Sequence, residues 1–375
     1  MTDRQIPLAR PDFDRRELDA LKAVLDSGWV VQGPRVAEFE QALAELHDVK
    51  HCVVVSSGTA ALHLAFMAMG VGDGDSVLVP SFAWPAAANM AAVCGARPVF
   101  VDCLPDTYNV DPDDLRARIA QCAERGWPRP RCVVPVHEFG LAADLKAVLA
   151  VADEFGLEVI EDAACALSAT CNGRKVGGFG RMGVFSFHPR KAVTTGEGGA
   201  IVTDDDDLAE RCRVLRNHGQ GVVDGRRDFL ETGLNYRMTE LQAAVGVVQL
   251  AKLPEILQAR RRIARAYLAS LAGCPGISLP ADCPEHTWQT FMVALDDDRP
   301  RDDVVARLAE RGVQAGAGAV AGHCGKVYRE RFGYAEADLP VSARLHRQGL
   351  ALPLFSRMTD DDVEHCIRSL REVMA

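Results

Sequence analysis

Residues 53–62 read Val53-Val54-Val55-Ser56-Ser57-Gly58-Thr59-Ala60-Ala61-Leu62. Three β-branched residues stop at a Ser-Ser-Gly-Thr turn, and an Ala/Leu run follows. β-branched side chains favour strands, Ala and Leu favour helices, and a Ser or Thr between them is an N-cap. The stretch predicts a strand running directly into a helix. The same alternation repeats downstream. Short apolar runs at 52–55, 76–79, 98–101, 132–136 and 157–160 alternate with helical patterns at 59–69, 85–94, 111–123 and 143–154. Val-rich strands without polar alternation are buried on both faces. The expected fold class is α/β with a large, mostly parallel sheet.

Upstream, Asp14 is placed to cap a helix through Leu18, Leu21 and Leu25 that stops at Ser27-Gly28, and Gly33-Pro34 opens a second through Val36, Phe39, Leu43 and Leu46. Downstream, 183–187 and 199–203 read as strands joined by a glycine-rich loop, and 239–271 as one long helix. The last hundred residues mix a strand (287–295) with helices near 302–311, 341–349 and 359–373. The expected division is a large domain over 1–255, N-terminal arm included, and a smaller α/β domain over 256–375.

The 375 residues hold 42 Lys+Arg against 52 Asp+Glu, a net charge of −10. That balance argues against a nucleic-acid or anionic-membrane partner. No apolar run approaches the ~20 residues of a membrane helix, and the first residues carry no signal-peptide pattern. The twelve cysteines are scattered, with no C-x-x-C pair and no zinc-type spacing. Reduced thiols in the cytoplasm, and no metal, are expected.

Ligands of open parallel sheets sit at the carboxyl ends of the strands, and several unusual residues fall there. Ser57-Gly58-Thr59 opens a helix after a strand, where free N–H groups and the positive helix end suit a phosphate; taken alone it is an ordinary cap. Asp162 ends a buried strand, placed to pair with a cationic heterocycle or merely to cap a turn. Lys191 follows the strand that ends in Ser186 and precedes Thr194-Thr195-Gly196-Glu197-Gly198-Gly199. A desolvated lysine there is a Schiff-base nucleophile; a solvated one is a loop residue. Aromatic residues in Pro80-Ser81-Phe82-Ala83-Trp84 either stack on a planar ring or pack in the core, and Phe82 reads as core. Together these are the parts that hold pyridoxal phosphate.

The chain resembles the fold-type-I, pyridoxal-phosphate-dependent nucleotide-sugar aminotransferases of the DegT/DnrJ/StrS family over essentially its whole length. The resemblance rests on Ser27-Gly28-Trp29 with Gly33-Pro34, on 56–62, Pro80-Ser81-Phe82, Glu161-Asp162-Ala163-Ala164, 186–199, Arg216-Asn217-His218-Gly219, Asn235-Tyr236-Arg237-Met238 and Leu352-Pro353-Leu354-Phe355. It implies that Lys191 forms the Schiff base and shuttles the proton, and that Asp162 pairs with the pyridinium nitrogen. Trp84 would stack on the ring, and Ser57, Gly58, Thr59 and Ser186 would hold the phosphate. Asn235 would reach the phosphate of a neighbouring subunit, which implies a homodimer with shared sites. The implied reaction moves an amino group from glutamate or glutamine to a keto group of a nucleotide-linked sugar. A keto-cyclitol acceptor of aminocyclitol antibiotic pathways is the near alternative, and a non-catalytic ligand sensor the distant one. Lys191 stands where related dehydratases carry histidine, which favours amino transfer.

Two positions depart from the family pattern. Cys165 stands three residues past the aspartate, where relatives carry Gln or His toward the cofactor's phenolic oxygen, and a thiol is a weak donor. The run 316–322 is all Gly, Ala and Val, which leaves room for a larger acceptor or marks a flexible loop. Phe139 replaces a usual tyrosine. Trp29, Gln32, Glu138 and Phe139 are the expected acceptor wall.

Overall fold

The computed structural model describes residues 4–296 and 299–375. Strands β1 (His51–Val55), β2 (Asp75–Pro80), β3 (Arg97–Val101), β4 (Arg129–Val133) and β5 (Glu158–Asp162) come first. A two-residue ladder of β6 (Thr170–Cys171) and β7 (Arg174–Lys175) follows, then β8 (Met182–Ser186) and β9 (Gly199–Thr203). The seven longer strands form one sheet in the order β1-β9-β8-β5-β4-β2-β3. Every pairing from β8 to β3 is parallel, and β9 runs antiparallel to both its neighbours. The fold is therefore the expected α/β class with a mostly parallel sheet.

Period-two alternation divides the strand side chains between the two faces. Val53, Val55, Val77, Val79 and Ile160 pack under α3 (Gly58–Ala68), α4 (Ala86–Val93) and α7 (Asp206–Arg216). On the opposite face, Leu78, Val99, Val133 and Val159 lie under α5 (Pro112–Glu124) and α6 (Leu145–Phe155). Cys52, Val54, Phe185 and Val202 lie under α2 (Pro34–His47) and α8 (Glu240–Ala251). Helix α1 (Arg15–Ser27) starts at an Asp14–Glu17 capping box and docks on α8.

Three readings change, and one hairpin is added. The long helix over 239–271 is two helices, α8 and α9 (Leu253–Leu271), meeting at Lys252. Pro254 falls in the first turn of α9, where its missing N–H has no partner to lose. The strand read at 132–136 is Arg129–Val133, since Pro135 cannot donate to the ladder. A hairpin of β10 (Gln220–Val223) and β11 (Arg226–Phe229) turns at Asp224-Gly225, both at positive φ (51° and 74°), the Asp-Gly signature of tight hairpins. The second layer is a three-stranded antiparallel sheet of β12 (Ile277–Ser278), β13 (Phe291–Leu295) and β14 (Gly349–Leu352). It packs with α9, α10 (Arg301–Ala309) and α13 (Asp360–Met374), and Ile6 of the N-terminal arm joins it by bridging Val313. Two shorter helices, α11 (Lys326–Phe332) and α12 (Pro340–Gln348), complete the chain.

Candidate active site

The strand ends of the large sheet bring Lys191, Asp162 and Glu138 together. Lys191 lies on the loop between β8 and β9. That loop is held at both ends: Phe187 N–H donates to Gly198, and Thr195 N–H and the Thr194 hydroxyl donate to the Phe187 carbonyl. Its middle is held from the second layer, where Gln289 Nε2 donates to the Arg190 carbonyl at 3.0 Å. The Lys191 amine thus points inward, with Nζ 3.0 Å from Cys165 Sγ. Burial lowers the pKa of this amine, but the Cys165 contact and the charges of Asp162 and Glu138 raise it, and the net direction is up. The Cys165 thiol is pushed up by burial, so it faces the ammonium as a neutral group.

Asp162 ends β5, buried, and accepts from the Ala164 amide at 3.0 Å. Burial raises its carboxyl pKa, against the lowering by the Ala164 bond and the Lys191 charge. Its neighbour Glu161 faces the other side of the strand and does structural work. Glu161 accepts from the amides of Gly177, Phe179 and Gly180 and from His137 Nε2 at 3.1 Å. His137 Nδ1 accepts from Ala143, which fixes the tautomer with the proton on Nε2. Those bonds outweigh burial and hold the Glu161 carboxyl below its usual range. Glu161 and Gln289 were not singled out by the sequence. A charge inside an apolar strand is the signal for the former, because an ion buried there needs partners.

Ser57 caps α3, its hydroxyl accepting from Ala60 at 3.0 Å, and Ala61 bonds the Ser57 carbonyl. The Gly58 and Thr59 amides keep no partner among the described residues and point from the positive helix end. A Cβ on Gly58 would stand 2.8 Å from Ser186 Cβ, and one on Gly199 2.5 Å from the Ser57 carbonyl carbon. Glycine at both positions lets three strand ends converge on one cradle of amides and hydroxyls.

The remaining candidates scatter. Trp84 is 74% exposed after β2. Asn235 is exposed and its backbone bridges Asn217. Trp29 and Gln32 sit on the α1–α2 loop, where Trp29 Nε1 donates to the Gln32 carbonyl. That loop is fastened to Glu240, whose carboxylate accepts from Gly33, Arg35 and Val36. Phe139 is buried in an aromatic cluster with Phe82 and Tyr108. Within 316–322, close approach explains two glycines: a Cβ on Gly318 would meet Met292 Sδ at 2.4 Å, and one on Gly322 the Phe100 ring at 2.8 Å, whereas Gly316 has room for one. Among the described residues no group of His, Cys, Asp and Glu is arranged to hold a metal, and no helix is long and apolar enough to cross a membrane.

A buried carboxylate and an enclosed amine on adjacent strand ends, with an anion cradle two strands further on, suit a planar, phosphorylated heterocycle with an electrophilic carbon. Comparison with known proteins agrees. Residues 11–371 match the model of the DegT/DnrJ/EryC1/StrS aminotransferase family. A DegT/DnrJ/EryC1/StrS aminotransferase from Brucella abortus is 35% identical, covering 96% of this chain and 95% of that one, with a TM-score of 0.89. DesV from S. venezuelae, solved with a ketimine intermediate, is 35% identical over 98% and 99% of the two chains, TM-score 0.89. Spr1654 from Streptococcus pneumoniae, assigned as a sugar aminotransferase and solved in its PMP form, is 25% identical over 99% and 98%, TM-score 0.91. The chain belongs to the DegT/DnrJ/EryC1/StrS aminotransferase family; it is an enzyme, and the cofactor of its family is pyridoxal phosphate.

Proposed function

We propose that the protein transfers the amino group of glutamate or glutamine to a keto group on a nucleotide-linked sugar, with its cofactor held at Lys191. The observation that carries this reading is the Lys191 amine, 3.0 Å from Cys165 Sγ on the Asp162 side of the sheet, with the α3 cradle two strands away. The residues fit the group. Asp162 supplies a buried carboxyl for the ring nitrogen, and the Gly58 and Thr59 amides with Ser57 and Ser186 supply the phosphate site. Trp84 offers an exposed ring for stacking.

When bound, pyridoxal phosphate supplies an electron-accepting ring that stabilises a carbanion next to the transferred nitrogen. The chain does the rest. Lys191 takes and returns a proton at Nζ, which general acid–base work of this kind makes worth roughly 10²–10⁴ in rate. Asp162 keeps a proton on the ring nitrogen, and the Glu161–His137 pair holds that strand end still. Asn235 and the exposed Trp29, Val31, Val222 and Phe229 support a homodimer in which Asn235 completes the neighbour's phosphate site. We place the enzyme in the cytoplasm.

The test is a panel of amino donors against nucleotide-linked keto sugars and keto-cyclitols, read by mass spectrometry. Amino-sugar nucleotide formed from glutamate or glutamine supports the reading. Product from the cyclitol ketone alone moves the acceptor to that class, and cofactor binding without any turnover overturns amino transfer.

A further inference from the structure

One acidic side chain beside Lys191 makes no side-chain hydrogen bond among the described residues. Glu138 follows β4 and is only 4% exposed. Its backbone is fixed with unusual care. The Glu138 amide donates to Asn109 Oδ1 at 2.8 Å, Phe139 takes φ +54° and Gly140 φ +100°. The Phe139 carbonyl accepts from Gln289, and the Gly140 carbonyl from Thr287. A non-glycine residue at positive φ costs energy and persists where its surroundings demand it.

The polar side chains around the Glu138 backbone are committed elsewhere. Asn109 Nδ2 donates to the Leu141 and Ala142 carbonyls, the Tyr108 hydroxyl to Met292, and both His137 nitrogens are used by Glu161 and Ala143. The charged and titratable groups that face Glu138 are Lys191 from the β8–β9 loop, Asp162 and Cys165 from the end of β5, and Cys103 after β3. Burial pushes the Glu138 carboxyl up to about 8, the Lys191 charge lowering it and the Asp162 charge raising it.

The sheet order says which part of the cofactor Glu138 meets, given the function proposed above. The ring nitrogen and the carbon that a lysine attacks are para to each other, so the ring axis runs from Asp162 to Lys191. The phosphate arm and the phenolic oxygen flank the lysine end on opposite sides. β5 has β8 on one side and β4 on the other. Ser186 ends β8, and the α3 cradle lies beyond it, so a bound phosphate would be held on that flank. His137 N–H bonds the Asp162 carbonyl from the β4 side, which puts the residue after it, Glu138, on the phenolic flank.

We propose that Glu138 works as a neutral acid whose O–H donates to the phenolic oxygen of bound pyridoxal phosphate, a task that the weak donor Cys165 cannot perform. Glu138 is thereby a cofactor-contacting residue that tunes the ring: its O–H stabilises the negative oxygen, so the chromophore gives up its own proton more readily.

The test uses the reconstituted protein, with visible absorbance followed from about pH 6 to about pH 10. A donor to the phenolic oxygen favours the more negative form of the chromophore. Glu138→Leu should therefore raise the midpoint of the colour change by about one unit, the size of one charge-assisted hydrogen bond. Glu138→Gln keeps a neutral donor and should stay within a few tenths of a unit of the parent. A second readout needs no cofactor: difference infrared spectra of the cofactor-free protein should show a protonated-carboxyl band near neutral pH that Glu138→Gln removes. A midpoint unmoved in Glu138→Leu, or an infrared band absent from the parent, overturns this inference alone. A parent protein that takes up no pyridoxal phosphate overturns the functional reading as well.

Discussion

Glu161, Asp162 and Glu138 show how differently three carboxyl groups are treated within one site. Glu161 is given four donors and stays ionised, whereas Asp162 and Glu138 are left with few and are pushed toward the neutral form. Asp162→Asn keeps the volume and the Ala164 contact but cannot hold a proton on the ring nitrogen, so turnover should fall by about a hundredfold or more. Steady-state kinetics beside an unchanged far-ultraviolet circular dichroism spectrum checks this. Glu138 also links to stability. Its folded value of about 8 lies above the ordinary glutamate value of 4.5, so the folded chain binds more protons between them and stability falls as pH rises through that window. Urea denaturation of the cofactor-free Glu138→Gln protein should show a smaller loss from about pH 5 to pH 8 than the parent.

At the scale of elements, packing outweighs local preference. Gly246 lies in the middle of α8, where alanine would gain about 1 kcal/mol of helix propensity. A Cβ there would stand 2.7 Å from the Phe39 ring, which is wholly buried against Phe187. Overpacking of that kind costs about 1–3 kcal/mol, so Gly246→Ala should destabilise despite its propensity, as a lowered melting temperature. Lys252 fastens α1 to the α8–α9 junction, with Nζ 3.0 Å from Glu17 and 3.1 Å from Asp14. Lys252→Met takes the ammonium from buried Glu17, while Asp14 keeps Arg16 at 2.9 Å, and should cost about 2–3 kcal/mol in denaturant titration, below the full buried-pair value. These elements also mark what is legible in the sequence. The β1–α3 turn, Asp162 and Lys191 can be read because each depends on its own strand end. The Asp224-Gly225 hairpin was equally local and went unread. The break at Lys252 needed the weight of Pro254. No local pattern reveals that residues 287–290 leave their strand to bond Phe139 and Gly140, because that contact joins segments far apart in the chain.

For the whole molecule, the sheet order puts the α3 amide cradle and Glu138 on opposite sides of β5, and the second layer reaches in through Gln289 and Thr287 to hold both site loops. A cofactor site made of both layers couples its occupancy to folding, since ligand that binds only the folded chain stabilises it. Acid destabilises as well, through other groups. Buried His47 and His286 stay neutral down to about 4 and about 3, because burial disfavours their charged forms. The unfolded chain takes up those protons first, so stability is lost as pH falls below 6.5 toward those values. All of this rests on one assignment, that Lys191 is the residue to which the cofactor attaches. Borohydride reduction of the reconstituted protein followed by peptide mass spectrometry tests it most directly. The account predicts a single phosphopyridoxyl group on the peptide containing Lys191, and none in Lys191→Ala. A label on another lysine, or a reduced protein without one, would contradict it.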